Sequence, residues 1–344
     1  LSTSKTLNWN NHISILYMKF NYQYLENEWT SGYSQFIDKM NLYSKCAWYV
    51  VALNPNLSLD YIFNKLNDKW TYWGISGNPN ITLEIIENNI DKHWNWFLLS
   101  QNLNITWEFI SKNLDKNWDW QSISQHSNIT WEIIQNNPNK PWNWNSISIN
   151  PNITWDIIQN NPDKKWEWVN ISENPNITWD IIRDNPDKKW NWYSVSMNPN
   201  ITWDIIQNNQ SNIWIWYGIS CNINITWEII QNNPTKFWGL DYISAHQNIT
   251  WEIIQNNPDY TWKWEYISVN PNINWEIILN NLDKKWNWNG IARNNMKLGK
   301  EKWINNLRLK IIKTLQIQRH WRYYSCNPEY KLAKKLIKST LYNI

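Results

Sequence analysis

Glycine is scarce in this chain, with 7 residues in 344, and cysteine scarcer still, with 3. So few glycines leave no phosphate-cradling Gly-rich loop and no Gly/Ser linker between domains. Cys46, Cys221 and Cys326 stand far apart without a CxxC pair, which offers no disulfide or metal framework and fits a reducing compartment. No run of 18 apolar residues occurs, so the sequence predicts no membrane span. The 5 histidines are scattered, and the recurring Asp and Glu sit where helix caps and first helical turns need them. No nucleophile–base or paired-carboxylate constellation forms. The sequence therefore predicts neither catalysis nor a cofactor.

Tryptophan dominates what remains, with 32 residues. One ladder runs at intervals of 24 through Trp107, Trp131, Trp155, Trp179, Trp203, Trp227, Trp251 and Trp275. A second runs from Trp70 through Trp94, Trp118, Trp142, Trp166, Trp190, Trp214, Trp238 and Trp262 to Trp286, and a third follows two residues later in most repeats. A fixed period in this range marks a stacked repeat array. Placement at constant positions in every repeat predicts that the rings form a core between layers, with the third ladder the more exposed, since it admits Tyr72 and Leu240.

Residues 150–173, NPNITWDIIQNNPDKKWEWVNISE, show the physics of one repeat. Asn150-Pro151-Asn152 signals a turn. Thr154 caps the following helix, Asp156 complements its dipole, and Ile153 with Ile158 has the spacing of a hydrophobic staple. Pro162 stops the helix near Asn161. Asp163 is the expected cap of a second short helix, α or 3₁₀, carrying Trp166, Trp168 and Ile171. The sequence thus predicts an all-α solenoid of about ten 24-residue α/3₁₀ repeats, elongated and closed off by degenerate caps. The expected division is an N-terminal degenerate repeat or cap over 1–53, the solenoid over 54–293, and a basic helical C-terminal cap or tail over 294–344. Charge follows that division: residues 1–293 carry 20 Lys/Arg against 27 Asp/Glu, and 294–344 carry 12 against 2.

On so uniform a scaffold, partner binding is expected where repeats differ. One variable position includes Lys165, Lys189 and Phe237; four residues later come Trp73, Phe97, Val169, Tyr193 and Tyr217; four further lie Glu173, Met197 and Cys221. The first two positions are expected on one face of the second helix, with Val169, Tyr193, Tyr217 and Phe237 as an apolar patch. In the tail, Ile317-Gln318-Arg319 with Arg322 matches the core of an IQ motif on a basic amphipathic helix, which makes a calmodulin-like protein a candidate partner. Tyr323 and Asn327 depart from the full motif. Lys331, Lys334 and Lys335 are candidate nucleic-acid contacts, while the acidic array argues against wholesale wrapping. Asn-Ile-Thr recurs as a glycosylation sequon from Asn80 to Asn248, but turn and cap chemistry already accounts for it.

The NPNITWDII…NNPDKKWNW…IS unit resembles the Trp- and Asn-rich repeat proteins of mimivirus-like giant DNA viruses, and IQRHWRYYSCNPEYKLAKKLIK at 317–338 is similar to the basic ending of many of them. The period and its Asn-Pro-Asn turn also resemble the leucine-rich-repeat-variant solenoids, with Trp and Ile where that family has Leu, Val and Ala. The iron–sulfur cluster of some members has no cysteine cluster to hold it here. The first resemblance implies a viral protein in the host cytoplasm or viral factory, or in the virion. The expectation is a monomeric, non-catalytic protein–protein interaction scaffold. The alternatives are a ubiquitin-ligase substrate adaptor whose recruiting domain lies upstream of Leu1, and a virion structural protein.

Overall fold

A computed structural model describes residues 3–326 apart from 47, 66 and 67. All regular elements among the described residues are helices. The chain divides into two units, Leu1–Gly32 with Leu298–Ile344, and Tyr33–Lys297. In the first unit, the N-terminal helix Thr3–Met40 and the C-terminal helix Lys297–Cys326 meet through Trp29 and Trp303, ring centroids 5.4 Å apart, and through a Lys300–Glu26 ion pair of 2.5 Å.

The second unit holds the repeats. Each has an outer helix A, such as Trp155–Asn160, and an inner helix B, such as Trp168–Glu173. Helix A forms as the sequence predicts: the Thr154 hydroxyl accepts from the Ile157 N–H, and Ile153 and Ile158 are both buried. Helix B is α-helical and starts later than expected, at Trp168. Residues 165–167 stay outside the helix, with Glu167, in extended backbone, rather than Asp163 as the cap. Two bonds hold the loop open: the Trp166 indole N–H donates to the Asn161 carbonyl at 2.8 Å, and the Glu167 N–H donates to Ser148 Oγ of the previous repeat at 2.9 Å.

Helices B pack directly on one another from repeat to repeat: Trp120–Gln125 on Trp144–Ile149, that on Trp168–Glu173, and that on Trp192–Met197. Helices A do so far less, which makes the B side concave. Isoleucines such as Ile153, Ile158 and Ile171 fill the space between the layers.

The curvature closes. Most repeats are tied to their predecessors by a buried asparagine, as where Asn78 Nδ2 donates to the carbonyls of Ala52 and Asn54. Asn54, the first of the series, makes the same pair of bonds to Ala292 and Asn294, 238 and 240 residues ahead. Asn56 Nδ2 donates to the Asn295 carbonyl in the same manner. Helix Trp48–Ala52 packs on both Asp68–Ile75 and Trp288–Arg293. Counting Trp48–Ala52, eleven helices B stand in a circle within this unit. The solenoid is as expected, but its elongated form with a degenerate cap at each end is corrected: its first turn serves as the successor of its last. Residues 33–53 belong with the repeats, since Asp38, at the end of the N-terminal helix, binds Lys65 and the Tyr61 hydroxyl of the next helix A.

Candidate functional site

Antiparallel helices give the ring two rims, one at each set of loops, besides its convex and concave faces. The first rim is built on asparagine. Asn174 Nδ2 donates to the carbonyls of Ser148, Asn150 and Ile153, and its Oδ1 accepts from the Asn176 N–H. Asn176 Nδ2 then donates to Pro151 and Ile153 carbonyls. These bonds satisfy buried carbonyls between turns, where an unpaired group would cost about 1–3 kcal/mol. They also engage the amide nitrogen of each sequon asparagine, so these residues act as inter-turn staples. The sequence reading found the turn and missed the staple. A signal was present: in the series that runs every 24 residues from Asn54 through Asn174 to Asn294, the replacements are His126 and His246, both polar with donor and acceptor capacity.

His246 reproduces the asparagine pattern. Its Nδ1 accepts from the Asn248 N–H at 3.1 Å, so Nε2 carries the proton and donates to the Asn222 carbonyl at 3.0 Å. His126 lies near the Ser100 backbone and the Asn128 side chain without closing a well-formed bond at either nitrogen. Burial lowers the pKa of both imidazoles.

The opposite rim is a zipper of tryptophans. Trp144 meets Trp166 edge-on at 5.3 Å, and Trp166 lies against Trp131 at 5.9 Å. The three ladders thus interlock as one pile across neighbouring turns. Trp94, Trp118 and Trp286 of the second ladder are buried; the first and third ladders are half-buried throughout. The deepest core belongs to isoleucine, and the indoles seal its edge. Where Leu240 stands in the third ladder, a cleft of about 700 Å³ opens, lined by Trp227, Trp238, Phe237 and Tyr260.

The variable residues divide between these surfaces. Phe237 is in the loop ahead of helix Leu240–Ala245, 86 % exposed on the tryptophan rim, so it does not join the helix-B patch as expected. Trp73, Phe97, Val169, Tyr193 and Tyr217 all lie on helices B with exposed side chains, and they face the concave side. The sequence reading omitted Tyr49, which extends the series into the first turn and meets Trp73 edge-on at 6.3 Å. Around the ring the series runs Tyr49, Trp73, Phe97, then Gln121 and Asn145, then Val169, Tyr193, Tyr217, then Asp241, Glu265 and Asn289. Two apolar arcs alternate with two polar ones.

Polar chemistry on this face is local. Tyr242 bonds with both Tyr193 and Tyr217; the bond with Tyr193 raises the Tyr242 pKa, and the bond with Tyr242 raises that of Tyr217. The carboxylate of Asp241 raises the pKa of Tyr266. Gly218 permits the close approach of neighbouring helices B, since a Cβ there would meet the Tyr193 carbonyl at 2.7 Å. Burial, with Glu173 nearby, pushes the Cys221 thiol up to about 11, which leaves it protonated and a poor nucleophile at neutral pH.

In the other unit, Ile317 and Trp321 project into solvent from the C-terminal helix, which also carries Gln318, Arg319 and Arg322. Lys331, Lys334 and Lys335 lie outside the described residues. Among the described residues no helix is long and apolar enough to cross a membrane. No family model, curated protein or solved structure matches the chain.

Proposed function

We propose that the chain is a non-catalytic protein–protein interaction scaffold whose binding face is the concave stripe of the ring. One observation carries this reading. Positions on helix B that vary from repeat to repeat place Trp73, Phe97, Val169, Tyr193 and Tyr217 in solvent, while the core-facing positions of the same helices, such as Ile171 and Ser172, are nearly constant. Large apolar side chains clustered in solvent mark interaction surfaces, and Tyr and Trp are the residues that most often anchor them. The resemblance of the repeat to giant-virus proteins is the ground for seeking the partner among host or viral-factory components.

A photo-crosslinking residue at Tyr217, compared with one at exposed Gln159 on the convex side, tests the face. Defined adducts in an extract of the producing cell are expected at Tyr217 and not at Gln159. Equal adduct formation at both would count against the concave stripe.

A further inference from the structure

Three features of the concave stripe together specify its occupant: the width of the ring, the order of its apolar arcs, and the sign of its charge. Eleven helices B spaced by roughly 8–10 Å, the usual interaxial distance, give a circle roughly 30 Å across at the helix axes. A helix with its side chains has a radius of about 5–6 Å, so the opening is roughly 20 Å wide. One further α-helix, about 10–12 Å across, fits there with about 4–5 Å to spare on each side, a gap that the large aromatic side chains of the arcs narrow.

The apolar arcs are placed for such an occupant. Trp73, at the middle of the first arc, and Tyr193, at the middle of the second, are five turns apart in a ring of eleven, almost diametrically opposed. Between them on one side stand Gln121 and Asn145, and on the other Asp241, Glu265 and Asn289. Glu173 adds a third carboxylate from the position four residues along helix B, and Arg293 is the cation of that second position. The lining is therefore apolar on two sides and acidic on a third. Its negative charge opposes a phosphate backbone and favours lysine or arginine.

We propose that the ring grips a single basic amphipathic helix of a partner protein. Apolar residues of that helix would bear on the two aromatic arcs, and its cations would face Asp241 and Glu265. This rests on the reading of the stripe as a binding face and adds the class of partner.

The test uses the full chain and three 20-residue synthetic helices: a Leu/Lys amphipath, its Leu/Glu counterpart, and the Leu/Lys composition scrambled to remove the apolar face. Titration calorimetry at low and moderate salt is expected to show binding of the first alone, weakened by salt. The double variant D241K/E265K is expected to lose at least tenfold in affinity while keeping its helical circular dichroism. V169R is expected to lose a similar factor, and F237R, on the rim, none. Equal binding of the scrambled or acidic peptide, or an unchanged affinity in both concave variants, would overturn the proposal. If Tyr217 still forms defined crosslinks but the basic helix does not bind, the partner class fails and the binding face stands. If Tyr217 forms none, the binding face fails too.

Discussion

Two junctions of the ring differ in how they are held. At an ordinary one, between the turns of Trp144–Ile149 and Trp168–Glu173, Asn174 and Asn176 staple the asparagine rim, Ser148 Oγ accepts the Glu167 N–H, and Trp144 meets Trp166. At the closing junction Asn54 and Asn56 staple the rim in the same way. The serine place is taken by Ala292, however, and the place of the second-ladder tryptophan by Cys46. Trp288 there receives Lys45, its ammonium 4.1 Å from the ring centroid. The seam keeps the bonds that satisfy buried backbone carbonyls and loses one hydrogen bond and one indole contact. Satisfying buried polar groups is what every junction needs; the tryptophan zipper adds stability where it is present. The seam is therefore the junction that opens first.

The largest expected effect breaks an ordinary junction. Asn174→Ala removes a buried side chain whose two amide N–H groups serve three carbonyls and whose oxygen accepts one bond, and should cost about 2–4 kcal/mol in denaturant unfolding. Asn54→Ala should cost less globally, because the array beyond the seam keeps its own junctions. Hydrogen exchange should instead rise selectively at residues 48–57 and 288–296. Uniform loss of protection around the ring in Asn54→Ala would contradict the distinction between the two junctions.

The histidine turns sharpen the comparison by offering the staple in two states. His126→Asn restores the bonds that the imidazole does not make and should stabilise by about 1 kcal/mol. His246→Asn exchanges one satisfied group for another and should shift stability by less than about 0.5 kcal/mol. Equal gains at the two sites would show that imidazole geometry is not the cause.

Acid should act through the same two residues with a smaller effect. Both native imidazoles have a pKa lowered by burial, so below the ordinary value near 6.5 the unfolded chain takes up protons that the folded ring refuses. Stability is fully present above that value and falls as pH drops through it toward the lowered native pKa values. Melting curves between pH 8 and pH 5 should show this slope, and the double His→Asn variant should flatten it. An unchanged slope would move the cause to other groups.

Much of the repeat was legible in the sequence because it depends on neighbours in the chain. The Thr154 cap, the Ile153–Ile158 staple and the stop at Asn161 follow from spacing alone. The start of helix B was misread at Asp163 because its position is set from outside the repeat, by the serine of the preceding turn taking the Glu167 N–H. Phe237 was misplaced for the same reason, since it belongs to the loop that this bond extends. Closure was illegible in a stronger sense. It depends on the angle accumulated over all the turns, and a period of 24 is equally compatible with an open coil. Two residues hint at it in retrospect: Ala52 and Ala292 break an otherwise unbroken serine ladder at the two turns that meet.

Closure is the central claim, and a distance across the seam tests it. With the native cysteines replaced, spin labels at Tyr49 and Asn289, the exposed concave positions of the first and last turns, should give the same short distance as labels at Val169 and Tyr193 in adjacent turns. A separation on the order of 50 Å or more, as ten steps of roughly 8–10 Å in an open array would produce, would contradict it.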